Sequence, residues 1–169
     1  MKRNTKLIVL TIAATSFLAL TACSKKPHAD DVNSGSDASE SYGMNNSDGF
    51  KVNALTAPSD QTYYFGFNES DMRPEDTKAL NIQANYIAAH AGAKVRLEGN
   101  TDNRGSREYN IGLGWRRDQT VARAMEQQGV QAGQIQMVSY GKENPAAQGN
   151  DEHAWALNRR VDFIYKQKG

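Results

Sequence analysis

The chain has 169 residues, with 20 basic and 19 acidic side chains and a formal net charge of +1. This balance argues against a nucleic-acid partner, because proteins that follow phosphates usually carry a strong basic excess. The single cysteine excludes an intrachain disulfide and a cysteine-rich metal site, and the three histidines lie far apart without metal-ligand spacing. We therefore expect no nucleic acid, no metal and no cofactor.

The first 22 residues have the pattern of a bacterial export signal. A basic start within residues 2–6 precedes an almost unbroken apolar run over residues 7–20, which is shorter than the roughly 20 residues of a membrane span. Residues 20–23 read Leu-Thr-Ala-Cys, as in the lipobox of bacterial lipoproteins. We expect cleavage before Cys23 and acylation of this residue, with each buried methylene contributing about 0.8 kcal/mol of membrane affinity. The alternative is a plain signal peptide with a coincidental cysteine.

The segment from Cys23 to residue 60 is predicted to be a lipidated N-terminus followed by a tether. It is rich in Ser, Asp, Asn and Gly and has few aliphatic residues, so it cannot bury enough apolar surface to offset the entropy of ordering. Ser24 follows the cysteine, and by analogy with enterobacterial sorting a residue other than Asp here favours delivery to the outer membrane.

A folded domain is predicted over residues 61–169. Its first strand has three aromatic residues that alternate on one face, namely Tyr63, Phe65 and Phe67. Pro74 and the two acids after it favour the start of a helix, which carries an apolar stripe and is ended by Gly92. This strand and helix form the first half of the predicted domain.

The second half of the domain continues the alternation of strands and helices. Strands are predicted over residues 95–99, 135–139 and 161–165. A long helix is predicted over residues 106–128, with Ser106 as its N-cap, and a short helix over residues 151–157. The order β-α-β-α-β-(α)-β predicts an α/β sandwich, with two main helices on one face of a mixed sheet.

The second predicted helix carries a charge on its buried stripe. With Leu113 at the centre of the stripe and about 100° per residue, Tyr109 and Arg117 each lie roughly 40° away. A guanidinium there must reach solvent or meet an anion, and Asp102 at the end of the preceding strand is a candidate partner. Two interpretations stay open at this point. Arg117 and Asp102 either form a salt bridge that fixes the loop, or face opposite charges of one ligand, for which a zwitterion would be suitable.

Other functional interpretations are weaker. The loop from Asn100 resembles the start of an EF-hand, but Ile111 stands at the twelfth position, where calcium needs a bidentate glutamate. Glu98 and Asp102 could form the carboxylate pair of a hydrolase, but solvation or loop capping is the more common role for such residues. The sequence contains no G-x-S-x-G nucleophile motif. Trp115, opposite the buried stripe, is a weak candidate for a partner contact.

Four sequence strings carry a family resemblance: YYFGFNESDM, LEGNTDNRGSREYNIGLGWRRDQTV, VSYGKENPAAQGNDE and NRRVDF. Together they resemble the OmpA-like peptidoglycan-binding domain over about residues 61–166. With the lipobox and the tether, the whole chain is similar to Gram-negative lipoproteins that carry this domain. The resemblance implies a mixed four-stranded sheet with two main helices on one face.

The resemblance also implies a binding site. In the family, an aspartate in the loop and an arginine fifteen residues later hold the diaminopimelate of the peptidoglycan stem peptide, and they correspond to Asp102 and Arg117. The family lines the same pocket with residues that correspond to Phe67, Asn68, Asn100 and Leu113. Two of these differ from the commonest family pattern, since Asn68 is often Asp and Asn100 is often His.

The function implied by the resemblance is that of a tether without enzyme activity. Lipid on Cys23 would hold the protein in the outer membrane, while the domain in the periplasm binds peptidoglycan without covalent bonds. The resemblance further implies partnership with TolB and other Tol proteins, and a role in envelope integrity and constriction at division. A lipid-anchored hydrolase and a structural lipoprotein with a closed Asp102–Arg117 pair are the alternatives.

Overall fold

The computed structural model of the protein describes residues 49–169, so the predicted signal peptide, Cys23 and most of the predicted tether lie outside the described residues. The strands are β1 Gln61–Tyr64, β2 Lys94–Asn100, β3 Ile135–Gly141 and β4 Arg160–Gln167. The helices are α1 Thr77–Ala89, α2 Arg107–Gln127 and α3 Glu152–Asn158, and short 3-10 helices cover Pro74–Asp76 and Ala132–Gln134.

The strands form one mixed sheet in the order β1-β4-β2-β3. β4 runs antiparallel to both of its neighbours, and β2 runs parallel to β3. Leu97 of β2 lies opposite Phe163 of β4 on one side and Met137 of β3 on the other. The predicted α/β sandwich with a mixed four-stranded sheet is therefore confirmed.

Helices α1 and α2 supply the apolar side chains that cover the sheet. The buried core combines residues of both helices with the alternate residues of the strands: Leu80, Ala84, Ile87, Val95, Leu97, Val121, Met125, Val161 and Phe163. The spacing of three or four residues along the helices and two along the strands places all of these on facing surfaces. The other face of the sheet is polar, with ion pairs such as Arg160–Asp162 at 2.9 Å.

Local signals place the ends of the helices. The Ser106 side chain accepts a hydrogen bond from the backbone N–H of Tyr109 at 3.1 Å and so caps α2, as predicted. Asp151 caps α3 in the same way through the N–H of Ala154 at 2.8 Å. Gly129 follows α2 with a φ of 95°, a conformation that terminates helices and that glycine adopts without strain.

The first strand is shorter than the aromatic alternation predicted. Tyr63 and Phe65 are buried in the core, but β1 ends at Tyr64 and Phe67 is 60% exposed. The chain leaves the sheet here, and Asn68 adopts a φ of 57° in the following loop. The expectation that the strand continues to Phe67, with this residue on the same face as Tyr63 and Phe65, is therefore wrong.

Residues 51–59 contact the domain although they belong to the predicted tether. The Asn53 amide donates to the Thr62 carbonyl at 3.0 Å and accepts from the Thr62 N–H at 2.8 Å. The Gln83 side chain donates to the Thr56 carbonyl at 2.7 Å and accepts from the Ser59 N–H at 3.1 Å. The domain boundary at residue 61 stays a prediction, and these contacts bear on the stability of a chain cut there.

None of the helices in residues 49–169 combines the length and the apolar character needed to cross a membrane.

Candidate functional site

A cavity of about 250 Å³ opens where the loop after β1, the loop after β2 and helix α2 meet. It is lined by five of the predicted site residues: Phe67, Asn68, Asp102, Leu113 and Arg117. The strands and helices therefore bring together residues that are up to 50 positions apart in the sequence. A ligand that enters this cavity can therefore reach both Asp102 and Arg117.

Arg117 is fully buried, yet it carries a charge. Its guanidinium donates to three backbone carbonyls, those of Asn100 at 2.7 Å, Glu69 at 2.8 Å and Gly66 at 3.1 Å. Burial lowers its pKa from 12.5 to about 10, with the negative charge of Asp102 acting in the opposite direction, so it stays charged at neutral pH. Of the five N–H groups of an arginine, two remain without a hydrogen bond to residues 49–169.

Asp102 is also buried, at 5% exposure. Its Oδ2 accepts a hydrogen bond from the Arg104 guanidinium at 2.6 Å, its Oδ1 accepts from the Arg104 backbone N–H at 3.2 Å, and Arg159 Nη1 lies 3.5 Å from Oδ2. Burial favours the neutral acid, but the hydrogen bonds and charge of Arg104, with the charge of Arg159, outweigh it and lower the pKa of Asp102. Asp102 is therefore an ionised carboxylate in the cavity wall.

Arg117 and Asp102 line one cavity without pairing. Among the ion pairs of the described residues, Asp102 binds Arg104 and Arg159, while the contacts of Arg117 are to carbonyl oxygens. The interpretation in which the two residues form a closed salt bridge is therefore wrong for this structure. A buried cation and a buried anion that line the same cavity can accept opposite charges of one ligand.

Asn100 does not line the cavity with its side chain. Its amide donates to the Glu98 carbonyl at 2.8 Å and to Asp162 Oδ2 at 3.3 Å, on the polar face of the sheet. Only its backbone oxygen reaches the site, where it accepts from Arg117. The expectation that the Asn100 side chain contributes to the pocket is corrected by this placement.

The rim of the cavity is aromatic. The Arg104 guanidinium lies between two rings, with its centre 4.1 Å from the Phe67 centroid and 3.9 Å from the Trp155 centroid. The Tyr109 hydroxyl donates to the side-chain oxygen of Asn68 and so links α2 to the loop after β1. Trp155 is fixed in turn by its indole N–H, which donates to Asn103 at 2.8 Å.

Sequence reasoning missed part of the lining. The cavity also contacts Thr101, Arg104, Gly105, Tyr109 and Asn110. The signal for Tyr109 was available, because it precedes Leu113 by four residues and Arg117 by eight, which places all three on one helix face. It was assigned to the flank of a buried stripe, whereas it is 46% exposed at the rim.

Two other carboxylates do not belong to the site. Glu98 pairs with Arg96 on the polar face of the sheet, so it does not form a hydrolase-like pair with Asp102. Asp118 is fully buried, and burial, with the charges of Glu98 and Asp162, raises its pKa to about 8 although the backbone of Gly99 partly offsets this. It does not line the cavity.

A larger open groove of about 900 Å³ lies along β1, β4 and residues 49–60. None of the predicted site residues lines it, so the chemistry argued from the sequence belongs to the smaller cavity. Among residues 49–169, no cluster of three or more His, Cys, Asp or Glu residues is placed to hold a metal ion.

Comparisons with known proteins agree with this fold. The sequence pattern of the OmpA family matches residues 64–159. The peptidoglycan-associated lipoprotein of Legionella pneumophila is 41% identical over 165 residues, which cover 93% of this chain and 94% of that protein. The protein of the same name from Pseudomonas aeruginosa is 40% identical over 155 residues, covering 89% and 92%. The crystal structure of the peptidoglycan-associated lipoprotein from Burkholderia pseudomallei has a TM-score of 0.62 at 40% identity, covering 63% of this chain and 90% of that chain.

Proposed function

Since this chain belongs to the OmpA family and, within it, to the peptidoglycan-associated lipoproteins, we propose that its cavity binds peptidoglycan non-covalently through the diaminopimelate of the stem peptide. The observation that carries the proposal is the Arg117 guanidinium, which is fully buried at the cavity and is held by three carbonyls. Backbone carbonyls orient a guanidinium but carry no net charge to neutralise it. A carboxylate of the ligand supplies that charge.

The opposite end of the ligand is argued from Asp102. Its carboxylate is ionised and lies in the cavity wall, where an ammonium group would be attracted to it. Diaminopimelate carries a carboxylate and an ammonium group on the same terminal carbon, so one end of the molecule satisfies both residues. The volume of about 250 Å³ is just below the roughly 300–1,000 Å³ of typical small-molecule sites, which suits a single amino acid.

The remaining lining gives the cavity its shape. Leu113 is 5% exposed and offers an apolar wall, and Phe67 offers an exposed ring at the rim. Such a surface accommodates the methylene chain of diaminopimelate, whose burial contributes about 0.8 kcal/mol per CH₂. Asn68 provides a polar edge that is held by Tyr109.

The chain acts as a tether between two layers of the cell envelope. Acyl chains on Cys23 anchor it in the outer membrane, and the domain in the periplasm binds the wall without catalysis. Anchoring confines the domain near the wall and so raises its effective concentration there, which lets a weak site hold firmly. Membership of this family also supports partnership with TolB and other Tol proteins in envelope integrity and constriction at division.

The binding site is tested by sedimentation of the full-length protein, in mild detergent, with purified insoluble peptidoglycan. Asp102→Asn and Arg117→Ala each remove a charge-assisted hydrogen bond, worth about 1.5–3 kcal/mol, so binding should weaken about tenfold or more. Arg123→Ala is the matched control, because Arg123 lies on the same helix and is exposed. It should sediment like the unchanged protein.

A competition experiment separates ligand recognition from loss of fold. A soluble stem tripeptide with diaminopimelate should displace the protein from peptidoglycan, whereas the matching tripeptide with lysine should not, because it lacks the carboxylate for Arg117. Equal competition by both peptides, or by neither, would rule out the proposed site. Melting temperatures of both variants are measured beside the binding, since Arg117 also binds three backbone carbonyls.

A further inference from the structure

Arg159, which directly follows α3, is a buried arginine that does not line the cavity. It is 6% exposed. Its Nε donates to the Phe65 carbonyl at 3.0 Å, one Nη2 hydrogen bond reaches Glu152 at 2.6 Å, and Nη1 lies 3.5 Å from Asp102 Oδ2. Nη1 makes no hydrogen bond to any of the residues that the structure describes.

These contacts connect the two loops that form the cavity. The backbone N–H of Phe65 donates back to the Arg159 carbonyl at 2.9 Å, so the two residues are joined at both backbone and side chain. Phe65 directly precedes Gly66, whose carbonyl accepts from Arg117. Arg159 therefore contacts Asp102, the anionic residue of the site. It also binds Phe65, the neighbour of the residue whose carbonyl holds Arg117.

We propose that Arg159 is a positioning residue of the peptidoglycan site, an inference that rests on the proposed function. Arg159 holds the Asp102 carboxylate in place and in its ionised form without contacting the ligand. It would be the permanent counter-charge of Asp102. This role is distinct from that of Arg104, which faces the ligand directly.

The difference between the two arginines follows from their surroundings. The Arg104 side chain is 32% exposed, lines the cavity and lies on the same loop as Asp102, so an ammonium group entering the cavity competes with it for the carboxylate. The Arg159 side chain is 7% exposed and is fixed by Phe65 and Glu152. When a ligand displaces Arg104, Arg159 stays and its free N–H group faces Asp102.

The electrostatics agree with this division. Burial raises the pKa of Asp102, the hydrogen bonds and charge of Arg104 lower it, and the charge of Arg159 lowers it further. The other charged groups near Asp102 are Arg117 on α2 and Glu152 on α3. Without Arg159, displacement of Arg104 by the ligand would leave the buried Asp102 carboxylate with less positive charge near it. The protonated fraction of Asp102 would then increase.

The test uses full-length protein in detergent micelles with Asp carboxyl carbons labelled for NMR. The pKa of Asp102 is measured directly, and sedimentation with purified peptidoglycan is measured from pH 3 to 8. Arg159→Gln should raise the pKa of Asp102 by about one unit or more, as expected for loss of an opposite charge within roughly 4–6 Å. The pH below which peptidoglycan binding is lost, here called the acid limit of binding, should increase by the same amount.

Two further variants separate charge from structure. Arg159→Lys keeps the positive charge but loses the planar group, so it should keep the pKa of Asp102 close to that of the unchanged protein. Arg160→Gln is the matched control, since Arg160 is as buried as Arg159 but pairs with Asp162 on the polar face of the sheet. It should lower the melting temperature without moving the acid limit of binding.

The outcomes are distinct. If Arg159→Gln lowers only the melting temperature and leaves the pKa of Asp102 and the acid limit unchanged, Arg159 is structural and the proposal is wrong. If Arg159→Gln does not fold, Glu152→Gln replaces it: Glu152 is exposed, and its loss should lower the pKa of Asp102, whereas an unchanged value refutes the proposal. If the unchanged protein does not sediment with peptidoglycan at any pH, the proposed function has failed and the inference fails with it.

Discussion

Gly99 of β2 and Gly114 of α2 face each other at the point where the helix crosses the sheet, with their backbones in direct contact. A Cβ atom on Gly99 would overlap the Gly114 carbonyl oxygen, and a Cβ on Gly114 would overlap the Ser139 hydroxyl and lie 2.8 Å from the Gly99 carbonyl oxygen. This close approach sets the distance between α2 and the sheet. Because α2 carries Leu113 and Arg117, it also sets the depth of the cavity.

Gly114→Ala should therefore affect both stability and binding. Overpacking of a tight interface typically costs about 1–3 kcal/mol, and the shift of α2 should also move Arg117 away from its three carbonyl partners. We expect a lower melting temperature and weaker sedimentation with peptidoglycan. Gly112→Ala on the same helix is the control, because its added Cβ would meet only the flexible end of Arg116 at 3.5 Å. Equal behaviour of the two variants would contradict this account of the contact.

Asp118 predicts a pH dependence of stability. Its pKa is raised from 3.8 to about 8, chiefly by burial, so between these values the folded protein binds a proton that the unfolded chain has released. The contribution of this carboxyl to stability is fully present below pH 4 and is lost as the pH rises toward 8, at up to about 1.4 kcal/mol per pH unit.

Asp118→Asn removes this titration while keeping the shape of the side chain. Measured by urea unfolding from pH 5 to 8, the stability of the variant relative to the unchanged protein should increase steadily with pH. The comparison is made as a difference because other carboxylates, such as Asp102 with its lowered pKa, act in the opposite direction. A difference that is constant with pH would show that Asp118 does not titrate in this range.

The contacts of residues 51–59 predict that the start of the chain matters for stability. A chain of residues 61–169 is expected to fold and to bind peptidoglycan, but it lacks the hydrogen bonds of Asn53 to Thr62 and those of Gln83 to Thr56 and Ser59. At about 1 kcal/mol for each bond, it should be less stable than a chain of residues 49–169 by about 2–4 kcal/mol. Calorimetry of both chains measures this, and equal melting temperatures would show that the segment contributes nothing.

Lipidation is predicted from the export signal and the lipobox that ends at Cys23, all of which lie outside the described residues. Cys23→Ser removes the only thiol of the chain, so no diacylglyceryl group can be attached. Cells that express this variant and are fed radiolabelled fatty acid should show no label on the protein, which should remain an unlipidated precursor. Label that persists on the serine variant would end the lipoprotein assignment.

Helix α2 shows how far local signals reach. Spacing and residue type predict its cap at Ser106, its end before Gly129 and the place of Arg117 on the stripe that faces the core. The partners of Arg117 are not predicted, because three carbonyls from the loop after β1 and the end of β2 cannot be identified from the helix sequence. The spacing of residues along a helix shows which face a charged side chain lies on, whereas the groups that neutralise its charge are set by tertiary contacts.

The misplaced residues had opposite causes. Phe67 continues an alternation of period two, but the strand ends first, and the positive φ of Asn68 shows how sharply the chain turns there. Asn100 was assigned to the pocket by resemblance, although alternation from Leu97 places its side chain on the opposite face of β2. Periodicity alone was too weak in the first case and was the better guide in the second.

The Asn53 amide has a consequence beyond stability. β1 is an edge strand of the sheet, and the exposed N–H and C=O groups of such a strand can recruit a strand from another molecule. Asn53 occupies both groups of Thr62, and therefore blocks part of this edge with a side chain that offers no further strand to extend the sheet. With the proposed lipid anchor concentrating the protein on a membrane surface, this would protect against aggregation between neighbouring copies, and Asn53→Ala should shorten the time to turbidity on storage.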